Sequence, residues 1–129
     1  MIILDTCVLL FDALSPERLS KIAIEALNHG EKTQQLYCSD ISLWEIAMLK
    51  KKKRIIVAAD YLIFMQSVLQ ARNIKVLPIS PEIADLSVSL DLEQADPAAR
   101  IIAATTICYH AKLLTSDQKL LNSQVPTLW

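Results

Sequence analysis

The chain has 129 residues, 53% hydrophobic and 21% charged, with a formal net charge of -1 at pH 7. That length predicts one domain, residues 1–129, burying roughly two-thirds of its unfolded surface. The charge excludes a polybasic protein that binds nucleic acid by bulk electrostatics, though not a local basic patch beside a site. Three cysteines (Cys7, Cys38, Cys108) lack ligand spacing and follow no leader-like segment, which predicts buried thiols in a reducing cytosol. No run approaches the ~18 apolar residues of a membrane span, so a soluble cytoplasmic protein is expected. The apolar surplus and the single glycine point to short loops and to apolar surface left for a subunit or partner interface.

In chain order, Ile2-Ile3-Leu4 is a short apolar run ending at Asp5-Thr6, as a buried parallel strand would. Ser15-Pro16-Glu17 carries helix-start chemistry, and Ile22, Ala23, Ala26 and Leu27 recur at helical spacing toward a stop at Gly30. Leu36-Tyr37-Cys38 predicts a second strand. Ser39-Asp40 then caps a helix through Ile41, Trp44, Ala47 and Met48 that ends in the basic run from Lys50 to Arg54. A further helix is expected over 58–72, a strand over 75–79, and a helix from Ser80-Pro81-Glu82 to about Leu90. Asp96-Pro97 opens another helix, through Ile101, Ile102 and Ala104 to Ala111. Strands follow at 112–115 and, near the end, 125–129. Strands alternating with helices of this length predict an α/β fold with a mainly parallel sheet covered on both faces.

Open α/β sheets bind ligands beyond the carboxyl ends of their strands, and Asp5 and Asp117 each follow a predicted strand. An Asp there also suits a plain turn or cap. Glu45 is harder to explain structurally: from Ile41 to Leu49 the only polar residues are Ser42 and Glu45, three apart and on one helical face. A buried, ionised Glu is costly unless paired or metal-bound; the alternative is pairing with a lysine of the following run, or reach to solvent. Asp96 is by default an N-cap, with Arg100 four residues on as a candidate partner. Carboxylates meeting at one sheet edge repel, by about 4 kcal/mol for a pair ~4 Å apart at an effective dielectric near 20. Such a cluster takes up protons or binds a hard cation. Mg²⁺ suits it, using few carboxylates, keeping its waters and accepting phosphate oxygens. The chemistry indicated is metal-assisted hydrolysis of a phosphate ester.

The stretches Ile-Leu-Asp-Thr (residues 3–6), Ile-Ser-Leu-Trp-Glu-Ile-Ala (41–47), Asp-Pro-Ala-Ala-Arg-Ile-Ile-Ala-Ala-Thr (96–105) and Leu-Leu-Thr-Ser-Asp (113–117) lie in the order and spacing of PIN domains. The closing Val-Pro-Thr-Leu-Trp resembles the VapC branch. The resemblance spans the whole chain and implies a PIN-like three-layer α/β/α sandwich. It further implies a Mg²⁺- or Mn²⁺-dependent endoribonuclease toxin acting on an RNA substrate, usually a homodimer held inactive by a cognate antitoxin. Asp5, Asp117 and, by position, Asp96 would be metal ligands. Glu45 would bind metal or position the attacking water, and Thr6 and Thr115 would support the pocket by hydrogen bonds. One position departs from the pattern. Where this branch usually reads Asp-Pro-x-Asp-Arg, the second acid is Ala99 here: either the natural protein has lost it, or Ala99 was introduced to disarm a toxic enzyme. A non-catalytic PIN domain that only binds antitoxin or RNA is the corresponding alternative. Thr106 also stands where the family commonly has Ala.

Two other acid-after-strand architectures fit less well. A phosphatase of the haloacid-dehalogenase type needs a second Asp two residues after the first, where Cys7 stands, and a response-regulator receiver needs paired acids near the first strand. The Lys50–Arg54 run suits RNA phosphates and equally a solvated helix end complementing the dipole. Trp44 is expected in a core or interface, with base stacking as the lesser alternative. His29 and His110 show no ligand spacing. The apolar helices between Ala58 and Leu90 are expected to bury a dimer or antitoxin surface, or simply core.

Overall fold

The computed structural model describes all residues, Met1–Trp129. Five strands, β1 (Ile2–Leu4), β2 (Leu36–Ser39), β3 (Lys75–Leu77), β4 (Lys112–Leu114) and β5 (Thr127–Leu128), form one sheet in the order β3-β2-β1-β4-β5, and every pairing is parallel. Seven α-helices accompany them: α1 (Thr6–Leu14), α2 (Lys21–Lys32), α3 (Ile41–Lys51), α4 (Tyr61–Ala71), α5 (Pro81–Ser89), α6 (Pro97–Cys108) and α7 (Gln118–Leu121).

Alternation along the strands divides the interior into two cores. Leu4, Leu36, Cys38 and Leu114 face one way, into a cluster with Val8, Leu9, Leu27, Ile46 and Phe64 from α1 to α4. Ile3, Leu77 and Leu113 face the other way, against Ala99, Ile102 and Ala103 of α6 and Leu120 of α7. The result is a three-layer α/β/α sandwich. Because both faces are covered, the short strands read as continuous apolar runs.

Several boundaries differ from the sequence expectation. Asp5 accepts from the Thr6 N–H and starts helix α1 immediately after β1, a helix the sequence did not announce because its residues are apolar almost throughout. Ser15-Pro16-Glu17 opens only a 3₁₀ turn, Pro16–Arg18, and α2 starts later, capped by Ser20 whose hydroxyl accepts from Ala23 N–H at 3.0 Å.

Gly30 does not stop α2. It lies inside the helix, buried, where a Cβ would meet Leu36 Cδ2 at 2.3 Å and Cγ at 2.9 Å. Its role is close approach of helix to strand. The left-handed position that ends a helix is taken by non-glycine residues instead: Gln34, Lys53, Asn73 and His110 all have φ between 52° and 57°. At each, the next N–H reaches back five residues, as from Gln35 to the Gly30 carbonyl and from Arg54 to the Leu49 carbonyl. This is the Schellman pattern. It explains how a chain with one glycine still turns sharply.

The cysteines also differ from expectation: Cys38 is buried, Cys7 half-buried and Cys108 exposed. Trp44 is 57% exposed and therefore not part of the chain's own core.

Gly30→Ala should destabilise the protein. The new Cβ would overlap the fully buried Leu36, so overpacking outweighs the better helix propensity of Ala, leaving a net loss of about 1–2 kcal/mol. Denaturant unfolding would measure it; unchanged stability would show that Leu36 repacks without cost.

Candidate active site

The sheet order puts a topological switch between β1 and β4: the chain leaves β1 toward β2 on one side and leaves β4 toward β5 on the other. Such a point opens a crevice at the carboxyl ends of the two strands. Asp5 follows β1 and Asp117 follows β4 by three residues. Together with Thr6, Cys7, Glu45, Asp96 and Ala99 they line one cavity of about 220 Å³, closed on its apolar side by Leu10 and Leu49.

Asp5 is only 8% exposed. Its Oδ1 accepts from Thr6 N–H at 2.8 Å, and its Oδ2 accepts from Thr115 Oγ1 at 2.6 Å and from the Cys7 thiol at 3.7 Å. Burial still raises its pKa despite these donors, and the charge on Asp117 adds to the rise. Thr115 serves both acids, since its Oγ1 also accepts from the Asp117 N–H at 3.0 Å.

Glu45 enters the cavity from α3, half-buried, and Thr6 Oγ1 donates to its Oε1 at 2.5 Å. With its one hydrogen used, Thr6 Oγ1 accepts from Ser42 Oγ at 2.9 Å. The three-residue spacing of Ser42 and Glu45 thus brings both to one hydroxyl. Burial raises the Glu45 pKa, and the charges of Asp5 and Asp96 raise it further. Pairing of Glu45 with a lysine does not occur: the chain's salt bridges are Arg72 to Asp12 and Arg72 to Glu31.

Asp96 caps α6, its Oδ2 accepting from Ala99 N–H at 3.1 Å. Arg100 does not pair with it; the guanidinium instead donates to the carbonyls of Ser87, Leu90, Leu92 and Gln94. Asp117 caps α7 through Oδ1, accepting from Lys119 N–H at 2.9 Å, and its Oδ2 accepts from Gln94 Nε2 at 2.5 Å. The sequence carried no signal for Gln94, which lies in an irregular segment. Cys7 also went unremarked at the cavity, where burial holds its thiol up at about 11, protonated.

The donor set is therefore four carboxylates, all hard oxygens of the kind Mg²⁺ and Mn²⁺ take. No three of the acids, cysteines or histidines converge into a closed ligand cage. At most two of these carboxylates therefore stand close enough to share one ion.

Residues 2–123 match the model of the PIN domain. The chain belongs to the PIN-domain family. It is 32% identical to Ribonuclease VapC22 of Mycobacterium tuberculosis (strain ATCC 25618 / H37Rv) over 132 aligned residues, covering 99% of this chain and 98% of that protein. Two solved structures share the fold. One is VapBC2 from Rickettsia felis bound to a promoter DNA fragment, with TM-score 0.70, 16% identity, and 100% and 98% of the two chains covered. The other is a toxin-antitoxin complex from Klebsiella pneumoniae, with TM-score 0.67, 21% identity, and 100% and 97% covered. In this PIN domain the acids after β1 and β4, the acid on α3 and the α6 N-cap share one cavity, and Ala99 places a methyl group on its wall.

Both raised carboxyls bind protons more tightly folded than unfolded. Their contribution to the stability of the metal-free protein should thus be fullest below the ordinary carboxyl range and be lost as pH rises through the raised values of Asp5 and Glu45. Asp5→Asn removes a buried charge, so it should melt above the starting chain at neutral pH and flatten this dependence. Melting curves across pH check it; a variant that melts lower with the same pH profile would show that the Asp5 charge is not the source.

Proposed function

We propose that this chain is a Mg²⁺- or Mn²⁺-dependent endoribonuclease of the VapC toxin type, hydrolysing RNA phosphodiesters in the cavity between β1 and β4, with its site depleted of one acid at Ala99. The observation that carries this reading is the meeting of Asp5, Glu45, Asp96 and Asp117 around one cavity at the switch point of a PIN domain. Near-full-length identity to a ribonuclease supports the substrate class.

Asp5 and Asp117 would hold the ion directly, and Asp96 would reach it through bound water. When bound, the ion supplies positive charge against the phosphodiester oxygens and activates water for attack. Glu45, half-buried and raised in pKa, is suited to orient that water and take its proton. Thr6 fixes the carboxylate of Glu45, while Thr115 fixes that of Asp5 and the backbone of Asp117. Residue 99 is the third residue of α6, one turn from the Asp96 cap, where an acid is locally favourable. Replacing an acid there with Ala subtracts a charge and an acceptor for bound water.

A cognate antitoxin and a second copy of the chain are the partners this reading entails. The similar folds come from a toxin-antitoxin complex and from VapBC2. Within this chain, apolar side chains of α4 and α5 remain uncovered, with Leu62 66% and Val88 79% exposed. No helix is long and apolar enough to cross a membrane. The Lys50–Arg54 run forms no ion pair and lies at the end of the helix that carries Glu45, which suits contact with RNA phosphates. A second reading, a PIN domain that binds antitoxin or RNA without cutting, is favoured by one observation alone, the methyl group of Ala99 in the cavity wall.

As it stands the chain should cleave RNA very slowly, and Ala99→Asp should raise Mg²⁺- or Mn²⁺-dependent cleavage by several orders of magnitude, abolished by EDTA and by adding Asp5→Asn. Equal cleavage by the starting chain and Ala99→Asp would show that Asp96 fills the role. No cleavage by either, with the fold intact and metal bound, would establish the binding-only reading.

Sedimentation of the purified chain should find a homodimer or, when isolated from its host, an antitoxin complex. A stable monomer that captures no partner would refute both.

A further inference from the structure

Besides Thr115, one further side chain outside the acids touches two of them. Gln94 lies in the irregular segment between α5 and α6. Its Nε2 donates to Asp117 Oδ2 at 2.5 Å and its Oε1 accepts from the Asp96 backbone N–H at 3.0 Å. This orientation of the amide is required, because the opposite one would set an acceptor against a carboxylate and a donor against an N–H. Gln94 therefore joins the acid after β4 to the residue that starts α6.

A bridge from an irregular segment fixes nothing unless its backbone is held. Arg100 holds it. Its Nε donates to the Ser87 carbonyl at 2.8 Å, Nη1 to the carbonyls of Gln94 at 2.9 Å and Leu92 at 3.3 Å, and Nη2 to the Leu90 carbonyl. No carboxylate pairs with this guanidinium. The rigid fork of donors, half-buried, instead gathers the last turn of α5 and the segment leading to Gln94. Lysine, with one nitrogen, could not span these carbonyls.

We propose that Gln94, clamped by Arg100, is a positioning residue that sets the Asp117 carboxylate at the acid cavity and ties it to the first turn of α6, which carries Asp96 and position 99. Its consequence for metal binding rests on the function proposed above. Asp117 Oδ1 is committed to capping α7, a helix of four residues. Oδ2 is fixed only by Gln94, and a carboxylate oxygen bonded once keeps a lone pair for an ion. Without Gln94, rotation of Asp117 meets no opposing contact at Oδ2, and the short cap is left to hold the acid alone.

The test titrates Mn²⁺ alone into the starting chain, Gln94→Leu, Arg100→Lys and the double variant, and measures amide exchange at Lys119 with melting as the check on folding. Loss of an outer partner to a ligand commonly costs roughly 10–100-fold in metal affinity. Each single variant should weaken Mn²⁺ by about that factor and speed exchange at Lys119, whose N–H is held by Asp117 Oδ1. The double variant should be little worse than either, because both act through one contact. Unchanged Mn²⁺ affinity and unchanged Lys119 exchange in a folded Gln94→Leu would overturn the proposal, as would multiplicative losses in the double variant. If Arg100→Lys fails to fold, Gln94→Leu decides by itself. If the starting chain takes up no Mn²⁺, it is the metal-dependent reading that fails, and exchange at Lys119 still decides whether Gln94 positions Asp117.

Discussion

The burial of Asp5 between the ends of β1 and β4 is the constraint on which the rest of the structure turns. Its backbone N–H extends the sheet by donating to the Leu114 carbonyl at 3.0 Å, and its side chain starts α1. A carboxylate there is expensive, and its raised pKa records the cost. The molecule offsets that cost by surrounding the acid with the Thr6 N–H, the Thr115 hydroxyl and the Cys7 thiol. Those donors belong to two segments, the start of α1 and the residue after β4, so the same bonds that solvate the acid also join the β1–α1 turn to the β4 edge. A site of this kind trades stability for chemistry.

The two threonines carry the arrangement outward. Thr6 passes from the Asp5 cap to Glu45 and Ser42 on α3, and Thr115 passes from Asp5 to the Asp117 backbone. Each is a single hydroxyl linking two elements, so acids from distant parts of the chain are held in one frame without any salt bridge among them. Their mutual repulsion is left for protons or a cation to relieve. Gln94 and Arg100 extend the frame to the loop before α6, and Arg100 does so with carbonyls as its acceptors and no counter-charge.

The surface complements this interior. Ile56 is 92% exposed, and α4 and α5 show further uncovered apolar side chains. The five cations of Lys50–Arg54 lie in a chain whose net charge is only -1, leaving the remainder acidic. These features have no partner within the chain.

The sequence by itself determined the layered α/β class, the parallel sheet and the acids after β1 and β4, because these depend on local period and on where a strand must end. It also determined that Ser42 and Glu45 share a helical face, since a three-residue spacing fixes that wherever the helix lies. Family resemblance in the residues picked out the departure at Ala99 for the same local reason. Tertiary structure alone decided the partners. Arg100 was four residues from Asp96 and free to pair with it, yet it turned to carbonyls that only the α5–α6 packing presents. Gly30 had the composition of a helix stop but became a contact with Leu36, because the sheet brought that strand against α2. Helix α1 was hidden in sequence, as a helix buried against a sheet loses its polar stripe. Gln94 was illegible because its function is conferred by a hydrogen bond across 23 residues of chain, and no local pattern encodes which distant oxygen an amide will meet.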